Sequence, residues 1–129
     1  MSEPHDDALA ISRLIDDSID AVSRGDVEAF GHCWTAEGQW TGPGLDCSGI
    51  FAITSAFAKM RGRIEAAEQT VVEGDVEIDG DRATGSWLIH EAIVDRDGKE
   101  RKRVGRYDDE YRRTSQGWKF AARHFTPSG

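Results

Sequence analysis

The front half of the chain carries apolar residues at helical spacing. Residues 6–23 form one apolar stripe, and Gly25 then ends the predicted helix. Asp26 is a favourable N-cap for a second helix over about 26–35, and a third helix is predicted over residues 49–61. The apolar stripe of the first helix consists of Ile11, Leu14, Ile15, Ile19 and Val22.

The back half changes to an alternation of apolar and polar residues, which predicts strands with one buried face. Four such strands are predicted, over residues 70–78, 82–94, 100–113 and 117–126. A short strand is expected near Trp40, followed by a loop over 42–46. Helices followed by consecutive hairpins predict an α+β fold, with three N-terminal helices packed on a curved antiparallel sheet. We expect one domain over residues 1–129.

The net charge of −8 argues against nucleic acid or an anionic membrane as a partner, because both need a positive surface. The one basic run, residues 99–103, is interpreted as the solvated face of a hairpin. No apolar run is long enough to cross a bilayer and the first seven residues are acidic, so we expect a cytoplasmic protein.

Two cysteines, Cys33 and Cys47, are expected to be free thiols in that compartment. No spacing of cysteine and histidine fits a zinc motif, and no metal site is predicted. The chain also lacks a glycine-rich phosphate loop and a nucleophile elbow.

Four short motifs carry a resemblance to a known family. They are the hinge at 23–26 (Ser-Arg-Gly-Asp), the hairpin at 79–85 (Asp-Gly-Asp-Arg-Ala-Thr-Gly), and the strand segments at 105–107 (Gly-Arg-Tyr) and 117–120 (Gly-Trp-Lys-Phe). With them the chain resembles the nuclear transport factor 2-like superfamily, SnoaL-like branch, from about residue 8 to 126. The resemblance implies a cystatin-like α+β cone with an internal pocket, and a homodimer formed through the outer sheet face.

Strand alternation indicates which polar residues face the pocket. Glu68 has the parity of Thr70, Val72, Val76 and Ile78, so it is expected to point toward the core or pocket. Glu91, Asp109 and Arg123 fall on the apolar faces of the later strands. An acid in an apolar cone is tuned by burial or by a nearby arginine, so these residues are candidates for acid–base chemistry. The alternative is a structural acid–arginine network that fixes the sheet.

A flat apolar ligand would find aromatic and aliphatic contacts on the same faces. The candidate ligand-binding residues are Trp34, Trp40, Phe57, Trp87, Ile89, Glu91 and Asp109. The aromatic members are equally well explained as ordinary core residues.

The resemblance also defines what is missing. Dehydrochlorinases and dehydratases of this fold use an Asp–His pair, whose two positions correspond here to Ser23 and Glu68. The carboxylate of the ketosteroid isomerases corresponds to Gly42, and their oxyanion-hole tyrosine to a position near Ser18. The remaining catalytic option is Glu68 as the base, with Arg123 and Tyr107 stabilising an oxyanion.

Two functions therefore stay open. One is a cofactor-independent isomerase, lyase or cyclase that acts on a small apolar carbonyl compound. The other is a non-catalytic ligand-binding or accessory domain of the same fold. Fold alone does not choose between them.

Overall fold

The computed structural model describes residues 4–128, and side chains over residues 6–128. The described part of the chain contains three helices and six strands. They are α1 (Pro4–Arg24), α2 (Val27–His32), β1 (Trp34–Gly42), β2 (Leu45–Ser48), α3 (Ile50–Gly62), β3 (Ile64–Asp79), β4 (Arg82–Asp95), β5 (Glu100–Thr114) and β6 (Gly117–Pro127). None of the described helices is long and apolar enough to span a bilayer.

The strands form one curved sheet in the order β2-β1-β6-β5-β4-β3. β3 to β6 form the expected antiparallel meander, which confirms the α+β prediction. The sheet is mixed rather than wholly antiparallel, because β1 runs parallel to β6. The residues predicted as a loop contain a tight hairpin turn at Pro43 and Gly44, and β2 follows as a short strand that the sequence analysis missed.

A β-bulge in β3 has the largest consequence for the interior. Val71 pairs with Ile89 and Glu73 pairs with Leu88, so Val72 is one extra residue on β3. An extra residue reverses which face the following side chains occupy. Inward positions on β3 are therefore odd from Ala67 to Val71 and even from Val76 onward.

The hydrophobic core lies between the three helices and the inner face of the sheet. Ile11 and Ile53 are fully buried there, on α1 and α3 respectively. The Asp26 side chain accepts the backbone N–H of Ala29 at 3.0 Å, which confirms it as the N-cap of α2.

A partly buried ion pair joins α1 to the sheet. Both carboxylate oxygens of Asp7 accept hydrogen bonds from Arg113 on β5, each at 2.8 Å. The Trp118 indole adds a third hydrogen bond to this carboxylate at 3.3 Å. Hydrogen bonding to Arg113 holds the pKa of Asp7 below its ordinary value, against the opposing effect of burial.

Candidate functional site

A cavity of about 250 Å³ opens between the helices and the inner face of the sheet. Its apolar wall is aromatic: Phe30 and Phe57 stack with their ring centroids 4.1 Å apart, and Trp40 packs against Phe30 at 5.3 Å. A larger groove of about 930 Å³ crosses the outer face of the sheet, but it is an open surface depression lined largely by polar side chains. The inner cavity, which is bounded by the helices and the core, is therefore the candidate site.

The deep polar end of the cavity is built on Arg123. Its guanidinium donates to Asp109 at 2.7 and 3.1 Å, and both side chains are buried. Tyr111 donates its hydroxyl proton to the same carboxylate at 2.7 Å and accepts the Trp87 indole N–H at 2.6 Å. Asp109 is thus the hub of a buried network, and Arg123 is the member that reaches the cavity.

Aromatic rings enclose the charge of Arg123. The guanidinium carbon lies 3.8 Å from the centroid of Tyr107 and 4.2 Å from that of Phe120. Burial alone would lower the pKa of Arg123, but the charge of Asp109 opposes it and the net shift is upward. Burial raises the pKa of the Tyr107 hydroxyl. Arg123 therefore presents a permanent cation to the cavity and Tyr107 a protonated phenol, and both groups can donate hydrogen bonds.

Among the residues that the structure describes, Glu91 is the one acid that lines the cavity. One carboxylate oxygen accepts two hydrogen bonds from Arg103, at 2.8 and 2.5 Å, and the other accepts the Gln69 amide at 2.8 Å. The side chain of Glu91 is about 10% exposed and that of Arg103 about 43%. Gln69 also hydrogen bonds Tyr107, so these polar groups form one continuous patch.

The prediction that Glu68 points inward is wrong. Glu68 pairs with Ala92 on the outer face and its side chain is exposed. The prediction assumed that side chains alternate regularly from Glu68 through Val72 to Ile78, but the bulge at Val72 reverses the alternation. Gln69 is the residue that reaches the cavity from this part of β3.

The structure brings together five of the predicted residues and leaves the others elsewhere. Those that line the cavity are Trp40, Phe57, Glu91, Tyr107 and Arg123. Trp34, Trp87 and Ile89 belong to the surrounding hydrophobic core, so they are not ligand contacts in this conformation. Asp109 lies behind Arg123 and acts on the cavity through it.

Sequence reasoning missed several cavity residues. Ser18 is buried on α1 and lines the cavity, while its hydroxyl donates to the Ile15 carbonyl at 2.7 Å. The mouth carries four arginines: Arg61, Arg63, Arg101 and Arg103. Two of them come from the basic run that was interpreted as a solvated hairpin face. They are exposed, but they share the parity of Tyr107 on β5, and that signal could have placed them at the cavity.

No histidine lines the cavity among the described residues. His32, His90 and His124 are all exposed, and His124 lies 2.7 Å from the Thr41 hydroxyl on the outer face. Within residues 4–128 no group of three or more acids, histidines and cysteines is placed to hold a metal ion.

Comparisons with known proteins agree with this architecture. The family model described as SnoaL-like domain matches residues 4–124. A proposed aromatic ring hydroxylase from Novosphingobium aromaticivorans is 26% identical, with a TM-score of 0.90 over 99% of this chain and 96% of its own. No curated protein matches the chain.

Two further solved structures are similar at lower identity and bear on the fold alone. A proposed dehydratase of the NTF2-like family from Streptomyces avermitilis is 19% identical, with a TM-score of 0.89 over 98% of this chain and 99% of its own. An uncharacterised protein with a cystatin-like fold from Caulobacter vibrioides is 21% identical, with a TM-score of 0.83 over 96% and 91% respectively.

Proposed function

The chain belongs to the SnoaL-like domain family, and we propose that its inner cavity binds a small, largely apolar carbonyl compound and catalyses a proton transfer within that compound. The observation that carries the proposal is a single cavity that joins an aromatic wall to Glu91, Tyr107 and Arg123. Reactions of this kind, isomerisation, elimination or cyclisation, need an acid–base group beside an oxyanion-stabilising group.

Glu91 replaces Glu68 as the proposed base. It is the acid that faces the cavity, and its contacts with Gln69 and Arg103 hold the carboxylate in place. Tyr107 and Arg123 are proposed to donate hydrogen bonds to the carbonyl oxygen of the ligand, whose negative charge grows when a neighbouring proton is removed. Because Arg123 is fixed by Asp109, its charge is positioned before the ligand arrives.

The ring-bearing character of the ligand is supported by the cavity wall. Phe30, Trp40 and Phe57 offer flat faces and edges, which suit an aromatic or alicyclic ring. The similar structure at 26% identity is described as a proposed aromatic ring hydroxylase, a name consistent with an aromatic ligand. The cavity volume lies just below the range of about 300–1,000 Å³ of typical ligand pockets, so a ligand of one or two rings is expected.

The second candidate is a non-catalytic ligand-binding or accessory domain. One observation favours it: both oxygens of Glu91 are already engaged, by Arg103 and Gln69. These three hydrogen bonds leave only one of the carboxylate's roughly four lone-pair sites open to accept a proton, and a carboxylate held this firmly suits a structural role.

A variant pair separates these readings. A library of ring-bearing ketones, lactones and phenols is screened by thermal shift against wild type, Glu91→Gln and Glu68→Gln. The last is a matched control, because Glu68 is a glutamate on the outer face of the neighbouring strand. A ligand whose stabilisation changes in Glu91→Gln only lies beside Glu91.

Turnover of such a ligand, measured by solvent deuterium incorporation or product analysis, then decides between catalysis and binding. We expect Glu91→Gln to lower the rate by about 10²-fold or more while Glu68→Gln leaves it unchanged. Binding with no turnover in wild type would support the accessory role. If no library member binds, the cavity proposal fails.

We also propose that the outer face of the sheet forms a homodimer. Val72, Leu88 and Val104 place apolar side chains on this face, and Val72 and Val104 are 49% and 37% exposed. Burying such groups stabilises association. Analytical ultracentrifugation should give a dimer for wild type and a monomer for Val104→Glu, and a monomeric wild type would refute the proposal.

A further inference from the structure

The charge of the cavity is opposite to that of the chain. The protein has 24 acidic and 16 basic residues, yet five of the basic residues line this one cavity with a single acid, Glu91. The five are Arg61, Arg63, Arg101, Arg103 and Arg123. A concave site lined by one sign of charge concentrates ligands of the opposite sign.

Three of these arginines are neutralised by a carboxylate. Asp109 pairs with Arg123 and Glu91 with Arg103. Asp95 pairs with Arg101 at 3.0 Å. Their charges are balanced within the protein and leave no surplus.

The other two arginines, Arg61 and Arg63, keep an uncompensated charge. Arg61 donates to the carbonyl oxygens of Val22 and Ser23, at 2.9 and 3.0 Å, and these acceptors carry no net charge. The side chain of Arg63 is exposed, and its guanidinium makes no hydrogen bond or ion pair with any described residue. The mouth therefore carries about two positive charges that no carboxylate of the described residues pairs with.

The two ends of the cavity differ in both charge and burial. At the inner end Tyr107 and Arg123 are 8% and 5% exposed, whereas Arg63 at the mouth is open to water. A ligand that spans the cavity would place its apolar ring between Phe57 and Ile64 and a charged group at Arg63.

We propose that the ligand is a ring-bearing carboxylate, whose carboxylate is bound at the mouth by Arg63 and Arg61. A guanidinium binds a carboxylate through two parallel hydrogen bonds, and such charge-assisted bonds are the strong ones. This inference rests on the proposed function, because it names the class of molecule that enters the same cavity.

Matched acid and ester pairs test the inference. Benzoate, trans-cinnamate, naphthalene-2-carboxylate and indole-3-acetate are each compared with their methyl esters by calorimetry. The proteins are wild type, Arg63→Gln, Arg63→Lys and Arg112→Gln. Arg112 is the matched control, because it is an exposed arginine on the outer face of β5 whose guanidinium makes no hydrogen bond or ion pair with the described residues.

We expect at least one acid to bind about tenfold more tightly than its ester. Arg63→Gln should weaken the acid about fivefold and leave the ester unchanged, Arg63→Lys should restore most of the affinity, and Arg112→Gln should have no effect. Raising the salt from 50 to 500 mM should weaken only the acid, since exposed charges are screened.

Two results overturn the inference in different ways. Esters that bind as well as their acids, or equal effects of Arg63→Gln and Arg112→Gln, refute the carboxylate while the cavity proposal stands. If no acid and no ester of any pair binds, both the carboxylate and the cavity proposal fail for ligands of this size.

Discussion

The Asp109–Arg123 pair offers the sharpest test of how the polar end of the cavity is stabilised. Both side chains are buried, and two hydrogen bonds of 2.7 and 3.1 Å join them. Replacing Asp109 with Asn keeps the volume but leaves the guanidinium without its counter-charge between the rings of Tyr107 and Phe120.

The magnitude follows from this geometry. Unit charges about 4 Å apart attract by about 4 kcal/mol at an effective dielectric constant of about 20. Removing one partner of a buried pair costs about 3–5 kcal/mol, because the remaining charge stays desolvated. We expect losses of that size in the free energy of unfolding for Asp109→Asn and for Arg123→Met. The double variant buries no lone charge, so it should lose much less than the sum of the two.

Urea denaturation followed by tryptophan fluorescence measures all three variants. Asp108→Asn is the matched control, since the neighbouring carboxylate is exposed on the outer face and should change stability by less than about 0.5 kcal/mol. If a single variant fails to fold, recovery of folding in the double variant carries the same information. Single losses below about 1 kcal/mol, or strict additivity of the two, would refute the reasoning.

Three further predictions concern other parts of the chain. The pKa of Asp7 is lowered by its hydrogen bonds with Arg113. The ionised Asp7 side chain therefore stabilises the fold fully above the ordinary pKa of 3.8, and this stabilisation is lost as the pH falls through the lower pKa of the folded state. Urea midpoints measured between pH 5 and 2.5 should show the loss in wild type and less of it in Asp7→Asn. Gly74→Ala should cost about 1–3 kcal/mol in urea denaturation, since its Cβ would overlap a tryptophan ring on β4, whereas Gly62→Ala has open space and should not destabilise. Burial raises the pKa of the Cys33 thiol to about 11. In a Cys47→Ser background Cys33 should therefore react with a disulfide reagent at pH 8 only after the protein unfolds. Fast reaction of the native protein would contradict this.

The fold could be predicted because its determinants are local. The apolar stripe of α1, the Asp26 cap and the alternation in β4 to β6 each act over a few residues, and each appears in the structure near its predicted position. The parallel pairing of β1 with β6 was not accessible, because it joins residues that are about 80 positions apart. Nothing in a local pattern specifies such a partner.

The direction of the side chains was predicted correctly on β5 and β6 and wrongly on β3, for one physical reason. Strand alternation holds where the ladder is regular, so Tyr107 and Arg123 were placed correctly with respect to the core. In β3 the sequence signal for the bulge at Val72 is an isolated glycine two residues later, Gly74, which was not used. One inserted residue exchanged Glu68 for Gln69 at the cavity.

That exchange decides the chemistry that the cavity can support. An unbulged β3 with Val76 facing inward would have directed Glu68 into the cavity together with Glu91. Two carboxylates in a small apolar space repel each other, and each would require its own cation or proton. With the bulge, the neutral amide of Gln69 takes that position and donates to Glu91 at 2.8 Å. Among the described residues a single carboxylate then remains in the cavity, so the proposed proton transfer and the repulsion of an anionic ligand both depend on Glu91. The positive charge of Arg61 and Arg63 at the mouth offsets that repulsion for a ligand whose carboxylate stays at the mouth, away from Glu91.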